Sequence, residues 1–400
     1  MTLTIIADDL TGACDTGCLF AGPAPVGVIA EPGLARSDAG VVAVDTESRA
    51  LTAHDAGHRV GAIAARLGSR LREGVVFKKI DSTLRGPVGA ELTALLDTGG
   101  WDGALVCSAF PAQGRVVRDG VLRVGGVPAH ETAIGADRHY PRGTSEVTAI
   151  LAQGAARAIH RLPLAAVRAG AQSVREALGR AEGGLVAADA ETDADLAVLA
   201  SATVPPLAWL LAGSAGLGQA VAIALRFPRP VVSLPPGRAW LWVVGSVHAA
   251  SRAQLAALEA AGAVGVYLDG AEAGGAAFDI SAVARALERG RPGFLASAPG
   301  ARLAPREVSR ALGAATARVL ARAAPDVLAV TGGETAYDVL QELGATRLDL
   351  LGAPASGLAL GAVTAGKFPR PDHGTLPLLA KAGGFGAPDL FLTLLEGRAA

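Results

Sequence analysis

Leu3-Thr4-Ile5-Ile6-Ala7-Asp8-Asp9-Leu10-Thr11-Gly12-Ala13 opens the chain with a short apolar run that ends in two carboxylates and passes at once into a helix-like segment. The pattern returns at Val75-Val76-Phe77-Lys78-Lys79-Ile80-Asp81-Ser82-Thr83-Leu84-Arg85-Gly86, where the run ends in Lys, Asp, Ser and Arg. An apolar run of this length, broken by polar residues before a helix, predicts a strand of an open α/β sheet. Such sheets bind ligands at the carboxyl ends of their strands. Paired carboxylates at one end, with Lys, Asp, Ser and Arg at another, suit a small polyhydroxylated anion. Arg presents a fork for a carboxylate or phosphate, Lys a point charge, and Asp can accept a hydroxyl proton.

Outward from these two stretches the alternation continues. Strands are expected at 26–30, 41–44, 104–108, 185–188 and 207–211, and helices at 53–71, 88–96, 145–156, 174–181 and 193–202. Residues 114–141 lack a period and read as extended excursions. Arg226-Phe-Pro-Arg-Pro-Val-Val-Ser-Leu-Pro-Pro-Gly-Arg238 carries four prolines and can hold neither a helix nor a central strand. Beyond it a second series begins, with strands at 239–244, 264–268, 293–298, 327–330 and 347–351 and helices at 250–261, 281–288, 305–323 and 336–343. The expected architecture is therefore α/β in two domains, each a largely parallel sheet flanked by helices, with an interdomain cleft. Residues 1–226 form the first domain, 227–238 a Pro-rich linker and 239–400 the second.

Composition narrows the function classes. Four hundred residues exceed one ordinary core, and half are hydrophobic, which supplies two. A net charge of −1 leaves no basic face for nucleic acid. No uncharged apolar stretch free of Pro and Gly is long enough to span a membrane, and Asp8 and Asp9 interrupt the first run before it can serve as a signal core, so the expectation is a cytoplasmic protein. Cys14, Cys18 and Cys107 are too few for a disulfide framework, and the first two are spaced to pack on one helix face. His54 and His58 share helical spacing but have no completing ligand, so they read as a solvated face.

In the second half, Leu241-Trp-Val-Val-Gly-Ser-Val-His248 and Val327-Leu-Ala-Val-Thr-Gly-Gly-Glu-Thr335 are strand–glycine–helix turns able to bring backbone amides to an anion, and Lys381-Ala-Gly-Gly-Phe-Gly386 adds a glycine loop with a cation. Gly361–Lys367 imitates a phosphate loop, but Phe368 stands where a Ser or Thr is required and Pro369 and Pro371 forbid the following helix. Gly213-Ser-Ala-Gly-Leu-Gly218 lacks dinucleotide spacing.

With these motifs in place, the chain resembles the four-carbon acid sugar kinases, the group acting on threonate, erythronate and oxo-tetronate. The resemblance rests on Ala7–Ala13, Asp45-Thr46-Glu47-Ser48-Arg49, Lys78–Gly86, Ala109–Arg115, Gly213–Leu217, Gly245-Ser246, Thr331–Thr335 and Lys381–Gly386, in the family's order and over nearly the whole chain. It implies an ATP-dependent kinase using Mg2+, with the sugar acid on the first domain and the nucleotide on the second. Carried over by position, Ser246, Gly332, Gly333, Glu334, Thr335, Ser356, Gly357, Leu358, Ala359 and Gly383 are the nucleotide contacts. Two departures stand out: Pro354-Ala355-Ser356-Gly357 replaces a Pro-Gly-x-Pro loop, and Gly384 stands where the family often has Asn.

From the residues themselves, Asp8 or Asp9 is the expected proton acceptor and Arg85 the carboxylate contact, assisted by Arg49 or Arg115. Lys79, Asp81 and Ser82 would hold the remaining hydroxyls. A sugar-acid or nucleotide sensor is the alternative, disfavoured because two adjacent carboxylates gain nothing in binding an anion. The residues that would hold the metal are left open, and the expected partner is a small sugar acid, with neither nucleic acid nor membrane and with a homodimer left open.

Overall fold

In a computed structural model the described residues are 2–22, 26–30, 40–135, 143–204, 208–228, 232–268, 279–300, 304–345, 347–364, 366, 368 and 374–397. Two compact units emerge, residues 1–20 with 34–228 and residues 21–33 with 229–400.

In chain order the first 228 residues give β1 (Leu3–Ala7), α1 (Leu10–Cys18), β2 (Val26–Ala30), β3 (Val41–Asp45), α2 (Ala53–Leu67), β4 (Val75–Lys79), α3 (Val88–Gly99) and β5 (Gly103–Cys107). They continue as β6 (Arg115–Arg118), β7 (Val121–Val124), β8 (Val127–Pro128), α4 (Val147–Leu151), β9 (Ile159–Leu162), α5 (Leu164–Arg168), α6 (Ala171–Gly179), β10 (Leu185–Ala188), α7 (Asp193–Thr203), β11 (Trp209–Gly213) and α8 (Ala215–Ala224). The first unit's main sheet runs β3-β1-β4-β11-β5-β10-β9 and is parallel throughout. Strands β1, β5, β10 and β11 are largely apolar runs because they are buried on both faces, whereas the edge strand β9 exposes His160 and Arg161. Helix starts are set by local chemistry. Asp9 caps α1 by accepting from Gly12 N, and Thr192 with Asp195 forms a capping box on α7.

The second unit holds β12 (Trp240–Val244), α9 (Ala249–Ala260), β13 (Val264–Leu268), α10 (Ser281–Glu288), β14 (Gly293–Ser297), α11 (Pro305–Leu320), β15 (Val327–Thr331), α12 (Gly333–Glu342), β16 (Arg347–Gly352), β17 (Leu358–Val363), β18 (Leu376–Lys381) and α13 (Leu390–Leu395). Strands β13-β14-β12-β15-β18 are parallel, and β17, β16 and β2 continue antiparallel. Trp240, Trp242, Phe294 and Phe391 anchor the core, with the Phe391 ring stacked 4.0 Å from that of Trp242.

Several expectations change. Strand β2 lies within the range expected for the first domain, yet it pairs with β16, Val28 opposite Leu348. The second unit is therefore built from two separated pieces of chain. The expected excursions contain an antiparallel sheet, β6-β7-β8, and Pro141 lies outside the described residues. The helix expected at 145–156 contracts to α4, and β9, α5, β17, β18 and α13 join the elements read from sequence. Gly361, Ala362 and Val363, the opening of the false phosphate loop, lie inside β17. Residues 229–231 of the Pro-rich run, Leu207, Lys367, Pro369 and Pro371 lie outside the described residues. His54 and His58 are exposed on α2, and the three cysteines are buried thiols.

Candidate active site

The first cluster forms where β1, β3 and β4 end together, because parallel pairing puts Ala7 opposite both Asp45 and Lys79. The loop after β3 folds over the end of β1. Thr46 N and Oγ1 donate to Ala7 O at 2.9 and 2.8 Å, and the amides of Ser48 and Arg49 donate to Asp8 O at 3.1 and 3.2 Å. This brings Arg49 onto the paired carboxylates. Its Nε and one terminal nitrogen reach Asp8 at 2.8 and 2.9 Å, and its other terminal nitrogen reaches Asp9 at 2.5 Å. Burial alone would raise the Asp8 carboxyl, but the guanidinium outweighs it and holds Asp8 below its ordinary value. Asp9 also accepts from Gly12 N and Thr11 Oγ1, both at 2.8 Å.

Asp45, at the end of β3, is 2% exposed. Its Oδ1 accepts from Glu47 N at 2.9 Å, and its Oδ2 is buried with no hydrogen-bond partner among the described residues. Burial pushes this carboxyl up to about 7, and the negative charges of Asp9 and Asp8 add to the effect.

On β4 the two lysines face opposite ways, as successive strand residues must. Lys78 pairs with Glu91 of α3 at 2.7 Å, both fully buried, and Ser48 Oγ donates to Glu91 at 2.5 Å. Lys79, 6% exposed, faces α1, where its Nζ would lie 3.0 Å from a Cβ on Gly12. One lysine thus belongs to the packing and the other to the cluster.

The turn after β4 centres on Asp81, which accepts from Arg85 Nε and a terminal nitrogen, each at 3.0 Å, and from Thr83 N at 3.1 Å and Thr83 Oγ1. Burial opposes ionisation here too, yet Arg85 and Arg49 hold Asp81 well below its ordinary value. Leu84 takes the left-handed conformation at φ 59°, and Gly86 passes against the Arg49 backbone. Arg115, at the start of β6, donates to Ser82 Oγ. Asp8, Asp9, Arg49, Lys79, Asp81, Ser82, Arg85 and Arg115 are therefore all set by the strand ends of the first unit or the loops after them. Arg85 is already engaged by Asp81 rather than free to meet a carboxylate.

A second cluster lies in the other unit, at the ends of β12, β15 and β18. A Cβ on Gly245 would collide with Thr335 Oγ1, one on Gly332 would lie 3.8 Å from Ser246 N, and one on Gly383 would collide with Ser246 Oγ. Glycine is required at Gly245 and Gly383 by close approach, and at Gly332 by its left-handed backbone, so three strand ends carry bare backbone around Ser246. Gly332 adopts φ 103°, and α12 starts directly after it at Gly333 and Glu334. Thr335 is buried against Ser309 at 3.3 Å. Ser356 and Gly357 sit at the mouth of β17, and Ala382 N donates to Gly357 O at 3.1 Å. Leu358 and Ala359 are buried inside β17, so only their backbone faces the neighbouring strand.

The carbonyls of the 382–387 loop are fastened from behind. Lys381 Nζ donates to Ala382 O at 3.0 Å, Ser251 Oγ to Gly383 O at 2.7 Å, and Gln254 Nε2 to Phe385, Gly386 and Ala387 at 2.9, 3.1 and 3.0 Å. Burial lowers the Lys381 ammonium to about 8. Ser251 and Gln254 complete the second cluster beyond the residues selected from sequence, while Gly245, Asp45 and Lys381 were marked there within motifs. A glycine closing an apolar strand and a cation opening a glycine loop were the available signals for Gly245 and Lys381. Nothing local marked Ser251 or Gln254. Among the described residues no group of three His, Cys, Asp or Glu side chains is placed to hold a metal.

Known proteins match both halves. A model of a sugar-binding N-terminal domain covers residues 3–221, and one of a nucleotide-binding C-terminal domain covers 241–391. A D-threonate kinase of Bordetella bronchiseptica is 36% identical over 97% of this chain and 95% of its own. A 3-oxo-tetronate kinase of Methylobacterium radiotolerans is 33% identical over 99% of each. A solved Haemophilus influenzae protein shares the fold, with a TM-score of 0.73 at 22% identity over 99% of this chain and all of that one. Two domain models in this order, with full-length relatives above thirty per cent identity, place the chain in the family of four-carbon acid sugar kinases.

Proposed function

We propose that the chain transfers the γ-phosphoryl group of ATP to a hydroxyl of a four-carbon sugar acid of the threonate, erythronate or 3-oxo-tetronate class. The observation that carries this reading is the Asp8–Asp9–Arg49 cluster beside the enclosed Lys79, at strand ends of the domain matched by a sugar-binding model. Phosphoryl transfer asks for positioned charge more than for covalent chemistry. Asp8, kept ionised by Arg49, receives the proton of the attacking hydroxyl, and Asp9 fixes the start of α1 beside it. Lys79, Arg115 and Ser82 hold the carboxylate and remaining hydroxyls. Arg85 and Asp81 act as a bonded pair, with Asp81 accepting hydroxyl protons as hydrogen bonds.

The nucleotide's phosphates are assigned to the glycine turns at Ser246, Gly332, Gly333 and Gly383, a reading supported by the bare backbone there and by the start of α12. Glu334, Thr335, Ser356, Gly357 and the backbone of Leu358 and Ala359 frame it. Mg2+ supplies charge neutralisation at the phosphates when bound, and it characteristically keeps water and phosphate ligands rather than an all-protein cage. The test is ADP release with ATP and magnesium across a panel of four- to six-carbon sugar acids. Saturable turnover confined to four-carbon acids is expected, and ADP release that no sugar acid stimulates would overturn the reading.

A further inference from the structure

We propose that Asp45 is a neutral carboxylic acid when the sugar acid is bound, limiting the negative charge beside that anion, so that its ionisation weakens the hold on it. The proposal rests on the sugar-acid reading of the first cluster and adds a positioning residue to it. Three acids end up at adjoining strand ends, and their donors are shared unequally. Asp8 receives two guanidinium hydrogen bonds, and Asp9 receives a guanidinium nitrogen, an amide and a hydroxyl. Asp45 receives one backbone amide from Glu47 and otherwise meets only the Glu47 carboxyl, so its second oxygen is enclosed with no cation or amide among the described residues to donate to it. A buried carboxylate oxygen with no donor is far costlier than a carboxyl that keeps its proton.

The surroundings agree. From its own loop Asp45 faces Glu47, and from the end of β1 it faces Asp8 and Asp9. From α1 it faces Cys14, whose thiol burial pushes well above its ordinary value, leaving it uncharged. Arg59 of α2 donates to the Thr46 and Glu47 carbonyls at 3.4 and 3.2 Å. Arg49 is already divided between two carboxylates, so a third negative charge has no cation to itself. Near neutrality the proton is therefore balanced between staying and leaving, and an anion binding nearby pulls it on. By linkage, whatever proton the site takes up on binding must appear as a pH-dependent affinity.

The experiment is isothermal calorimetry of the full chain with D-threonate and with D-erythronate, from about pH 6 to pH 9, in two buffers of different protonation enthalpy. Wild-type protein and Asp45→Asn are compared. In the wild type, affinity should fall by up to about tenfold per pH unit above about 7, with close to one proton taken up per sugar acid bound at the alkaline end. Asp45→Asn should bind with a flat pH profile and no proton uptake. Wild-type affinity that is independent of pH, or Asp45→Asn that retains the full dependence, overturns the proposal. Should the variant fail to fold, the wild-type proton count decides alone. Absence of binding to either sugar acid at every pH overturns the sugar-acid reading and this proposal with it, an outcome distinct from pH-flat binding.

Discussion

Replacing Arg49 with Met removes the guanidinium while keeping most of the side-chain volume. In the native protein Arg49 makes three hydrogen bonds to Asp8 and Asp9, and the Asp8 side chain is only 2% exposed. Removing one partner of a buried pair leaves the other's charge uncompensated, at a cost of about 3–5 kcal/mol. The loss should depend on pH in a defined direction. Because Asp8 is depressed in the native protein, its contribution is present above the unfolded carboxyl's pKa and is lost as pH falls through the native one. In Arg49→Met, burial is opposed only by the charges of Lys78 and Lys79 and should raise Asp8, so the penalty is largest at neutral pH and shrinks on acidification as the carboxyl protonates. Two domains make a single unfolding midpoint ambiguous, so the assay is hydrogen exchange of the buried β1 amides, which report opening of the first unit directly. Protection should fall by the stated amount at pH 7, and the gap from wild type should narrow towards pH 4. A gap under about 1 kcal/mol, or one that does not change with pH, would refute the assignment of Arg49 as the ion that keeps Asp8 charged.

Asp8→Asn should lower turnover about 10²–10⁴-fold, measured by steady-state ADP release under conditions where exchange protection shows the protein folded, because the amide also removes the charge that Arg49 pairs with. Normal turnover in Asp8→Asn would move the base role to Asp9 or Asp81. Gly245→Ala places a methyl group against Thr335 Oγ1, so affinity for ATP should fall more than about tenfold while sugar-acid affinity is kept, in paired calorimetric titrations. Lys381 is depressed to about 8, so its cost is present below that value and is relieved towards the free lysine value of about 10.4. The second unit should gain stability across that alkaline interval, and Lys381→Met should abolish the gain in urea unfolding. A fragment of residues 239–400 lacks β2 and leaves the edge of β16 open, so it should self-associate by light scattering, and a peptide of residues 21–33 should suppress this.

By itself the sequence determined the α/β alternation and the strand ends that carry chemistry. Both follow from local pattern: strands buried on two faces must be continuous apolar runs, as in β1, β5, β12 and β15, and polar residues can only follow where the strand ends. It also marked Asp8, Asp9, Arg49 and the Asp81–Arg85 turn, and it ruled out the false phosphate loop by its missing hydroxyl and its prolines. Only the tertiary structure decided which charges are shared. Lys78 and Lys79 look equivalent in sequence, and the pleat sends one to Glu91 and the other towards Gly12. Strand β2 reads as part of the first domain, but its partner β16 lies more than three hundred residues on, beyond any local pattern. β18 escaped notice because Pro377 follows its first residue, a position the hairpin with β17 accommodates. Asp45 is the clearest case. Its charge state depends on how many donors reach it and how much water does, and both are properties of the folded surroundings rather than of the residue.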